Sequence, residues 1–367
     1  MMNAFLHIAA PAISELKPYT PGKPISELER ELGISHSIKL ASNENPLGAS
    51  PMVADAIKAA LPDLSRYPDG GGFELRQALA QKHGIEAERI TLGNGSNDVL
   101  DMVARVFLTP DTESLFSQYA FAVYPISSQA VGADLIAAPA RDYGHDLTAM
   151  RERVTPKTRV VWIANPNNPT GTWVDKEALY AFIRDLPTDV IVVVDEAYTE
   201  YVDQPDYPDA SQWLDEFPNL IVTRTFSKAY GLASLRVGYS LSHSDVADLL
   251  NRVRQPFNVN SLALVGALAA LQDPVFIERS VEANRVGMAQ LVAGVEQLGL
   301  SYIPSVGNFL TVDFKREAGP IDQALLRLGC ITRPLANYGM PNHLRLTVGL
   351  QEENERLLNG LREVLAA

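Results

Sequence analysis

The central part of the chain alternates amphipathic segments with short, continuous runs of hydrophobic residues. Three such runs are RVVWIA (159–164), VIVVVDE (190–196) and NLIVTRT (219–225). Apolar runs of this length are typical of strands that are buried on both faces of a sheet. Because helical patterns separate the runs between about positions 48 and 245, the pattern predicts βαβ units around a largely parallel sheet.

The start of this alternation carries two further signals. Ser50-Pro51 predicts the beginning of a helix, because serine caps a helix N-terminus and proline fits the first turn. RITLG (89–93) is a predicted strand that leads through Asn94-Gly95-Ser96-Asn97 into DVLDMVARVF, where apolar residues recur with helical spacing. A strand, a glycine turn and a helix are therefore expected here.

The pattern changes after Asp273-Pro274. A long amphipathic helix is predicted to run to about position 299, and another helix is predicted to close the chain. Between them lie three predicted strands, FLTVDF, CITRPL and HLRLTVG. These segments predict a smaller α+β unit after the large sheet.

The patterns divide the chain into three parts. Residues 46–275 are predicted to form a large α/β domain, and residues 276–367 a small α+β domain. Residues 1–45 are predicted to form an arm, because LKPYTPGKP (16–24) is rich in proline and glycine. We expect the arm to be extended and to pack elsewhere, with a partner subunit as one candidate surface.

Composition and charge narrow the class of protein. The 367 residues are 46% hydrophobic and 20% charged, as in ordinary globular proteins, and they are enough for two domains. The formal net charge of -13 argues against nucleic acid or an anionic membrane as a partner, because both bind clustered lysine and arginine. Cys330 is the single cysteine, so a disulfide within the chain is not possible and a cytoplasmic setting is expected.

Membrane segments and metal sites are not indicated. The N-terminal sequence lacks the pattern of a secretory signal, and apolar runs of about 18 residues or more do not occur, so no membrane segment is expected. The six histidines are scattered without the spacing of metal-binding motifs. We therefore expect no metal.

Polar side chains follow each of the three buried strands. NPNNPTG (165–171), DEAY (195–198) and Thr225-Phe226-Ser227-Lys228 come directly after or at the ends of the apolar runs. In open α/β sheets, ligands bind beyond the carboxyl ends of the strands. We therefore expect these residues to meet at one site.

The turn Gly93-Asn94-Gly95-Ser96-Asn97 has two interpretations. A glycine turn before a helix offers free N–H groups and the positive end of the helix dipole, which suits a phosphate. A plain strand-to-helix turn fits the same residues. The turn is not a dinucleotide fingerprint, since Asp98 stands where the third glycine would be, and it is not a P-loop.

Three charged residues in apolar surroundings are candidates for chemistry. A buried Asp195 requires a cation or a donor, such as a protonated ring nitrogen, but it could also cap the next helix. Lys228, near Arg236 in a mostly apolar segment, would have a lowered pKa and a nucleophilic amine, unless it is a surface lysine. Arg345 would grip an anion if it points inward from its strand, and would be solvated if it points outward.

Taken together, seven motifs resemble those of the fold-type I pyridoxal-phosphate aminotransferases, and the resemblance covers nearly the whole chain. They are SNENPLG (42–48), RYPD (66–69), GNGSND (93–98), NPNNPTG (165–171), DEAY (195–198), TFSKAYGLASLRVGY (225–239) and LRLTVG (344–349). The resemblance implies an α/β fold with a large, mostly parallel sheet and a smaller α+β C-terminal domain. Within that family, the opening LKPYTPGKPISELERELG (16–33) and KLASNENPLG (39–48) is similar to the histidinol-phosphate aminotransferases.

The resemblance implies roles for four residues at the reacting end of a pyridoxal 5'-phosphate site. Lys228 would form the Schiff base with the cofactor aldehyde and would then carry the proton in the 1,3-shift. Asp195 would keep the pyridine nitrogen protonated. Asn168 and Tyr198 would bond the 3-oxygen of the ring.

The resemblance also implies what holds the rest of the cofactor. The implied ligands of its phosphate are Ser96, Asn97, Thr225, Ser227 and Arg236.

An aromatic residue and a partner subunit complete the implied cofactor site. Phe121 would stack on the ring face, with Tyr119 and Tyr124 as competing aromatics. Tyr67, in RYPD (66–69), would reach the phosphate from the neighbouring subunit. A homodimer with shared sites is therefore implied.

The implied substrates are histidinol phosphate and 2-oxoglutarate, which would exchange an amino group to give imidazole acetol phosphate and glutamate in histidine biosynthesis. Arg345 would bind the α-carboxylate of glutamate or 2-oxoglutarate. Histidinol phosphate has no carboxylate, so Arg333 would contact its phosphate instead. Asn308, Asn45 and Tyr19 would line the same pocket.

Other functions stay open at this point. Gly307 stands where the family often has a threonine, so the substrate side leaves alternatives. On the same fold, the enzyme could transfer amino groups of aromatic amino acids, accept both histidinol phosphate and aromatic substrates, or decarboxylate threonine phosphate. A protein of another class, a non-catalytic module that binds a phosphate or nucleotide and uses Lys228 only structurally, is the remaining alternative.

Overall fold

The structure is a computed structural model that describes residues 5–19 and 21–366. Position 20, within the predicted arm, and the outer ends of the predicted arm and small domain lie outside the described residues. The positions at which the three predicted parts divide stay a prediction.

The described part of the predicted arm contains regular structure. Helix α1 (Ile25–Leu32) ends at Gly33, which has a φ of 65°, and strand β1 (Ile38–Lys39) follows. Leu28 is buried in a small hydrophobic cluster with Ala41, Leu326 and Ile331. This segment therefore packs on the C-terminal part of its own chain and is helical where the sequence predicted an extended arm.

A seven-stranded sheet forms the centre of the large α/β part. Its strands lie in the order β2-β8-β7-β6-β5-β3-β4, and all run parallel except β8, which is antiparallel to both neighbours. The predicted largely parallel sheet is therefore confirmed. The strands are β2 (Ile90–Gly93), β3 (Glu113–Ser117), β4 (Asp134–Ala138), β5 (Thr158–Ala164), β6 (Ile191–Asp195), β7 (Leu220–Thr225) and β8 (Gly238–Ser242).

Helices cover both faces of this sheet. Val161 and Val192 belong to one hydrophobic core, whereas their neighbours Val160 and Val193 belong to the core on the opposite face. Continuous apolar runs are needed in these strands because neither face meets water. The helices are α2 (Pro51–Ala60), α3 (Phe73–His83), α4 (Ser96–Phe107), α5 (Val123–Ala130), α6 (Leu147–Arg151), α7 (Lys176–Arg184), α8 (Ser244–Val253) and α9 (Ser261–Leu271).

The sequence patterns do not predict three strands of the sheet, β3, β4 and β8. β4 lies at the edge of the sheet, where Leu135 is 38% exposed. β8 has the sequence GYSLS, and its glycine allows close packing, since a Cβ on Gly238 would lie 2.4 Å from the backbone nitrogen of Ser96. Partners distant in sequence, rather than local hydrophobicity, define these strands.

The C-terminal part is an α+β unit around a four-stranded antiparallel sheet, as predicted. The strands lie in the order β12-β13-β10-β9, and the separate strand β11 pairs in parallel with β1. The elements are α10 (Pro274–Gln297), β9 (Ser301–Ile303), β10 (Phe309–Asp313), α11 (Gly319–Arg327), β11 (Cys330–Ile331), β12 (Arg333–Pro334), β13 (His343–Thr347) and α12 (Gln351–Ala366).

In the described residues, no single helix is long and apolar enough to cross a membrane. Helices α9 and α10 reach the required length and hydropathy only as a pair, and the pair is bent by 83°.

Candidate active site

A cavity of about 170 Å³ lies at the carboxyl ends of the central strands. Backbone and side-chain groups of residues 41–43 form part of its wall. The structure brings most of the predicted site residues together around this cavity. These are Tyr19, Ser96, Asn97, Phe121, Asn168, Asp195, Tyr198, Thr225, Ser227, Lys228, Arg236, Arg333 and Arg345.

The parallel arrangement of strands explains why these residues meet. Asp195 is the last residue of β6, and Thr225 is the last residue of β7. Because the two strands run in parallel, with Asp195 paired to Thr223, both strands end at the same edge of the sheet. Asn168, which follows β5, reaches the same cavity.

Lys228 lines the cavity and presents an amine with an unusual pKa. Its Nζ donates a hydrogen bond to the carbonyl oxygen of Ser42 over 2.9 Å and lies 5.7 Å from the centre of the Tyr198 ring. Burial, followed by the charge of Arg345, lowers the pKa of Lys228 from 10.5 to about 7, against the opposing effect of Glu44. A substantial fraction of this amine is therefore unprotonated and nucleophilic near neutral pH.

Asp195 is 4% exposed and has a donor for each carboxylate oxygen. The Tyr124 hydroxyl donates to Oδ2 over 2.8 Å, and the Thr223 hydroxyl donates to Oδ1 over 2.9 Å. Burial raises the pKa of Asp195, while the two hydrogen bonds and the charge of Lys228 oppose that rise. The carboxylate is thus held at the cavity wall, where it can meet a cationic ring nitrogen.

Tyr198 stands beside Lys228 and is held by a residue from the N-terminal segment. The Asn43 amide donates to the Tyr198 hydroxyl over 2.9 Å. Burial raises the pKa of Tyr198 to about 12, so its hydroxyl stays protonated at neutral pH. Asn43 adopts a left-handed backbone conformation with a φ of 55°, which asparagine tolerates better than most residues.

One corner of the cavity is suited to a phosphate. Helix α4 begins at Ser96, and no side chain caps its first turn, so its N–H groups face the cavity corner. Arg236 donates from Nη1 to the Ser227 hydroxyl over 3.3 Å. A Cβ on Gly95, whose φ is 81°, would lie 2.4 Å from Arg236 Nη2, so only glycine leaves the guanidinium in place. Backbone donors, hydroxyls and one cation therefore converge, as a phosphate requires.

The opposite wall carries Arg345, whose side chain is directed into the protein. Its residue is 6% exposed, Nη1 donates to the Asn168 side-chain oxygen over 2.5 Å, and Nη2 donates to the Ala41 carbonyl over 2.6 Å. Among the described residues, its buried Nε has no hydrogen-bond partner. Burial lowers the pKa of Arg345, as expected for a cation that lacks a counter-ion.

Arg333 stands next to Arg345 on the neighbouring strand. The two arginines are directly paired between β12 and β13, and the Arg333 guanidinium lies 5.5 Å from the centre of the Tyr19 ring. Arg333 is also 6% exposed. This wall therefore places two buried cations side by side, and both line the cavity.

Three consecutive backbone carbonyls link the two walls. Those of residues 41, 42 and 43 accept hydrogen bonds from Arg345, Lys228 and Asn308, respectively. We call residues 41–43 the carbonyl strap. The carbonyl strap passes between Lys228, beside the large sheet, and Arg345, on the small sheet. Its carbonyls therefore accept hydrogen bonds from side chains that also face the cavity.

Three predicted site residues do not line this cavity. Tyr67 is 83% exposed and stacks on Phe257 with ring centres 4.6 Å apart. Asn45 donates to the Ala229 carbonyl over 2.8 Å, next to Lys228, and Asn308 is buried behind the carbonyl strap. Asn45 and Asn308 therefore support the wall of the cavity, and Tyr67 does not reach the cavity of its own chain.

The three aromatic candidates for stacking take different positions. Phe121 lines the cavity, whereas Tyr124 is fully buried behind it with its hydroxyl on Asp195. Tyr119 packs against Tyr143, with ring centres 5.7 Å apart. Of the three, only Phe121 offers a ring face to the cavity.

Comparison with known protein families shows which family the chain belongs to. The family described as aminotransferase class I and II matches residues 35–361. The chain belongs to this aminotransferase family.

Sequence relatives of this aminotransferase are similar over its full length. Histidinol-phosphate aminotransferase 2 of Pseudomonas aeruginosa is 58% identical over 367 residues and covers 100% of both chains. Histidinol-phosphate aminotransferase 2 of Methylococcus capsulatus is 57% identical over 364 residues, which are 98% of each chain. The predicted resemblance to the histidinol-phosphate aminotransferases is confirmed.

Solved structures agree with the predicted fold of the aminotransferase. Histidinol-phosphate aminotransferase from Sinorhizobium meliloti, in complex with pyridoxal-5'-phosphate, is 28% identical, has a TM-score of 0.89 and covers 98% of this chain and 97% of its own. Aspartate aminotransferase from Thermus thermophilus with maleate, at 22% identity and a TM-score of 0.84, covers 97% of this chain and 99% of its own and shares the fold. The fold-type I architecture expected from the motifs is confirmed.

The sequence does not indicate the roles of several residues in and behind the cavity of the aminotransferase. Asn43 and the carbonyl strap lie within the SNENPLG motif, so the motif signal was present, but the bonds to Tyr198 and Lys228 span more than a hundred residues. Tyr124 was considered only as a stacking ring. Its hydrogen bond to Asp195, 71 positions away, has no signal in the sequence.

Proposed function

We propose that this aminotransferase exchanges the amino group of histidinol phosphate with 2-oxoglutarate, giving imidazole acetol phosphate and glutamate, in histidine biosynthesis. The observation that carries the proposal is a cavity in which a lysine with a pKa of about 7 stands between a phosphate-type corner and a wall with two arginines. The full-length relatives at 57% and 58% identity support the same substrate class.

The cavity residues fit pyridoxal 5'-phosphate as the cofactor. When bound, this cofactor supplies an aldehyde and a ring that withdraws electrons from the substrate's Cα. The Ser96, Ser227 and Arg236 corner would hold its phosphate, and the Asp195 carboxylate would hold a proton on its ring nitrogen. The Phe121 ring would cover one face of the bound ring.

Lys228 has two tasks in this proposal. Its unprotonated amine would hold the cofactor through the aldehyde carbon, with loss of water, which an ammonium cannot do because it has no lone pair. When the substrate's amine replaces it on that carbon, the freed Lys228 amine would carry the proton of the 1,3-shift from the substrate's Cα to the former aldehyde carbon, for which a pKa near the working pH is best. Tyr198, whose ring centre lies 5.7 Å from Lys228 Nζ, and Asn168, which accepts a hydrogen bond from Arg345, would bond the 3-oxygen of the ring.

The two arginines would serve the two substrates separately. Arg345, which already uses Nη1 and Nη2 on protein oxygens, has its buried Nε available for a carboxylate of glutamate or 2-oxoglutarate. Arg333, beside Tyr19 at the outer part of the cavity, would bind the phosphate of histidinol phosphate. A guanidinium, which is always charged and donates several hydrogen bonds, suits both anions.

A homodimer with shared active sites is part of the proposal. Tyr67 is 83% exposed, Phe257 is 44% exposed and the two stack on each other, so they present an apolar surface that another subunit would cover. From there Tyr67 would reach the phosphate corner of the neighbouring subunit. The proposed setting is the cytoplasm, and the proposed partners are small molecules and a second copy of the chain, without nucleic acid or membrane.

Half-reactions of the cofactor-loaded enzyme test the substrate. Histidinol phosphate, phenylalanine and threonine phosphate are added separately, without a keto acid, and the loss of the cofactor's visible absorbance is followed by stopped flow. We expect histidinol phosphate to give the highest apparent second-order rate constant. A higher constant for phenylalanine would make the enzyme an aromatic aminotransferase, and release of carbon dioxide from threonine phosphate would make it a decarboxylase.

Mixed dimers test the shared sites. A Lys228→Ala chain is coexpressed with a Tyr67→Ala chain, each with its own affinity tag, and the doubly tagged dimer is isolated. One site of this dimer has both wild-type residues, so we expect its turnover to exceed that of either homodimeric variant. Turnover no higher than that of the better homodimer would contradict a Tyr67 contribution across the interface.

A further inference from the structure

Tyr124 is a buried residue outside the cavity whose hydroxyl points at the site. It lies in α5, is 0% exposed and donates its hydroxyl hydrogen to Asp195 Oδ2 over 2.8 Å. Thr223 donates to Oδ1 of the same carboxylate over 2.9 Å. The two donors come from different elements and engage different oxygens, so together they fix the plane of the carboxylate.

Tyr124 is itself held in place by a second layer of contacts. Its ring stacks on Trp162 with centres 5.1 Å apart and an angle of 8° between the planes. The Trp162 indole N–H donates to the Ser114 hydroxyl over 2.8 Å, and that hydroxyl shares a hydrogen bond of 2.7 Å with Ser128. Since all these side chains are buried, the Tyr124 hydroxyl has little freedom to leave Asp195.

The protonation of Tyr124 suits a permanent donor. Burial, followed by the charge of Asp195, raises the pKa of Tyr124 well above its ordinary value, so the hydroxyl keeps its hydrogen at every physiological pH. Burial alone would favour a neutral Asp195, and the donated hydrogen bonds favour the ionised form. The Tyr124 ring also packs edge to face on the Phe121 ring, with ring centres 5.7 Å apart and an angle of 86° between the planes. The segment around the start of α5 therefore supplies both the aromatic ring that lines the cavity and the hydroxyl that donates to Asp195.

We infer that Tyr124 is a positioning residue for the cofactor, which acts through Asp195 by fixing its orientation and favouring its ionised form, with Thr223 as the second donor. The inference rests on the proposed function, because that function gives Asp195 a ring nitrogen to hold. Tyr124 itself touches neither the cavity nor a reacting atom.

The test measures cofactor affinity rather than turnover. Apoenzyme is titrated with pyridoxal phosphate and the visible absorbance is followed, for the wild type and for Tyr124→Phe, which keeps the ring and its stacking. We expect the Kd of the variant to rise by roughly ten- to a hundred-fold, the range for a lost hydrogen bond to a charged group. The acid limb of binding should also move to higher pH, since Asp195 becomes easier to protonate.

Tyr302→Phe is the matched control. Tyr302 donates to the Glu296 carboxylate over 2.9 Å at the protein surface, so the control removes the same kind of hydrogen bond away from the site. Its Kd should equal that of the wild type. A folded Tyr124→Phe protein with an unchanged Kd and an unchanged acid limb would overturn the inference.

The Asp195→Asn background separates action through Asp195 from a structural effect. In this background Tyr124→Phe should change the Kd little, and a further loss by the same factor as in the wild type would overturn the inference. If Tyr124→Phe does not fold, Thr223→Val is measured instead. An unchanged Kd in Thr223→Val would contradict the role given to the two donors of Asp195. A wild-type protein that does not bind pyridoxal phosphate would instead overturn the proposed function.

Discussion

The two ends of the active-site cavity are built on different principles. At the sheet end, Asp195 is paired within the protein, because each of its two oxygens has a hydrogen-bond donor. At the arginine end, two buried cations stand side by side. Neither forms a direct ion pair with a carboxylate of the described residues, although Asp322 interacts electrostatically with Arg333, and Arg345 Nε has no hydrogen-bond partner. A paired end suits a group that stays bound, and an end without direct ion pairs suits anions that bind and dissociate.

This difference has an energetic reason. A buried cation without a counter-ion is costly, and a ligand anion removes that cost when it binds. The carbonyl strap supplies weaker, neutral acceptors to Arg345 and Lys228 in the meantime. In the proposed function, the arginine end would therefore contribute binding energy to substrates, and the sheet end would contribute orientation.

The largest effect is expected from the residue between the two ends. Lys228→Ala removes the nucleophile and the proton carrier, so kcat should fall by roughly a hundred- to ten-thousand-fold or more. Lys58→Ala, which changes a lysine whose side chain is 74% exposed, is the control and should keep wild-type turnover. Circular dichroism checks that both variants are folded, and near-normal turnover of Lys228→Ala would exclude the role given to this residue.

The arginine end should separate the two substrates. Arg333→Ala should raise the KM for histidinol phosphate much more than that for glutamate, and Arg345→Ala should do the reverse. Each loss should correspond to roughly 1.5 to 3 kcal/mol, the value of a hydrogen bond to a charged group.

Steady-state kinetics with both substrates measures this crossed pattern. Arg252→Ala, which changes an arginine paired to Asp248 at the surface, should leave both KM values unchanged. Equal increases in the two KM values of Arg333→Ala would contradict the proposal that Arg333 binds the substrate's phosphate.

A smaller effect is expected where the sheet end would hold the cofactor phosphate. Gly95→Ala adds a Cβ at 2.4 Å from Arg236 Nη2 and must displace the guanidinium, so the Kd of pyridoxal phosphate should rise by about tenfold, the equivalent of about 1.4 kcal/mol. Gly84→Ala is the matched control, because Gly84 also has a positive φ, of 67°, but nothing lies within 4 Å of its added Cβ.

Both glycine variants should lose stability from backbone strain, but only Gly95→Ala should lose cofactor affinity. Absorbance titration and thermal melts give the two quantities separately. Equal Kd values for the two variants would show that Gly95 does not make room for the guanidinium at a phosphate site.

The smallest expected effect is a shift in the pH dependence of cofactor capture by Lys228, which is influenced by the charge of Arg345 at the other end of the cavity. The rate at which apoenzyme captures pyridoxal phosphate should rise as pH increases through about 7, because the Lys228 ammonium loses its proton there. The charge of Arg345 contributes to the lowered pKa of Lys228, so Arg345→Gln should move this rise to higher pH.

The lowered pKa of Lys228 should also affect how the free energy of unfolding depends on pH. The pKa of Lys228 is about 7 in the folded apoprotein and 10.5 when unperturbed, so the unfolded chain binds more protons between these values. The contribution of Lys228 to the free energy of unfolding therefore rises with pH over this range, and Lys228→Met should flatten the rise. Urea melts at several pH values measure it, and identical slopes for wild type and Lys228→Met would contradict a lowered pKa.

Much of the fold follows from local sequence patterns. The strands β5, β6 and β7 could be predicted because both of their faces are buried, which requires continuous apolar runs. β4 could not, because it is an exposed edge strand, and neither could β8, whose small residues pack closely against the start of α4. The helical part of the predicted arm was missed because its burial depends on Leu326 and Ile331, some 300 residues away.

In the candidate site, too, some residues could be predicted from the local sequence and others depend on tertiary contacts. Lys228, Asp195 and Arg345 could be named because each is a charged residue in an apolar context, and the motifs gave them roles. Their partners could not be named, since Tyr124 and the carbonyl strap reach them only through tertiary contacts. Sequence thus indicates which groups carry chemistry, whereas the structure shows what sets their protonation and orientation.

The most direct test of the account is the site of covalent attachment. The protein is saturated with pyridoxal phosphate, reduced with borohydride and digested, and the peptides are sequenced by mass spectrometry. We expect a single modified residue, Lys228, with the mass of the reduced cofactor adduct. An unmodified Lys228, or a modification found on another lysine, would contradict the assignment of this cavity as the active site.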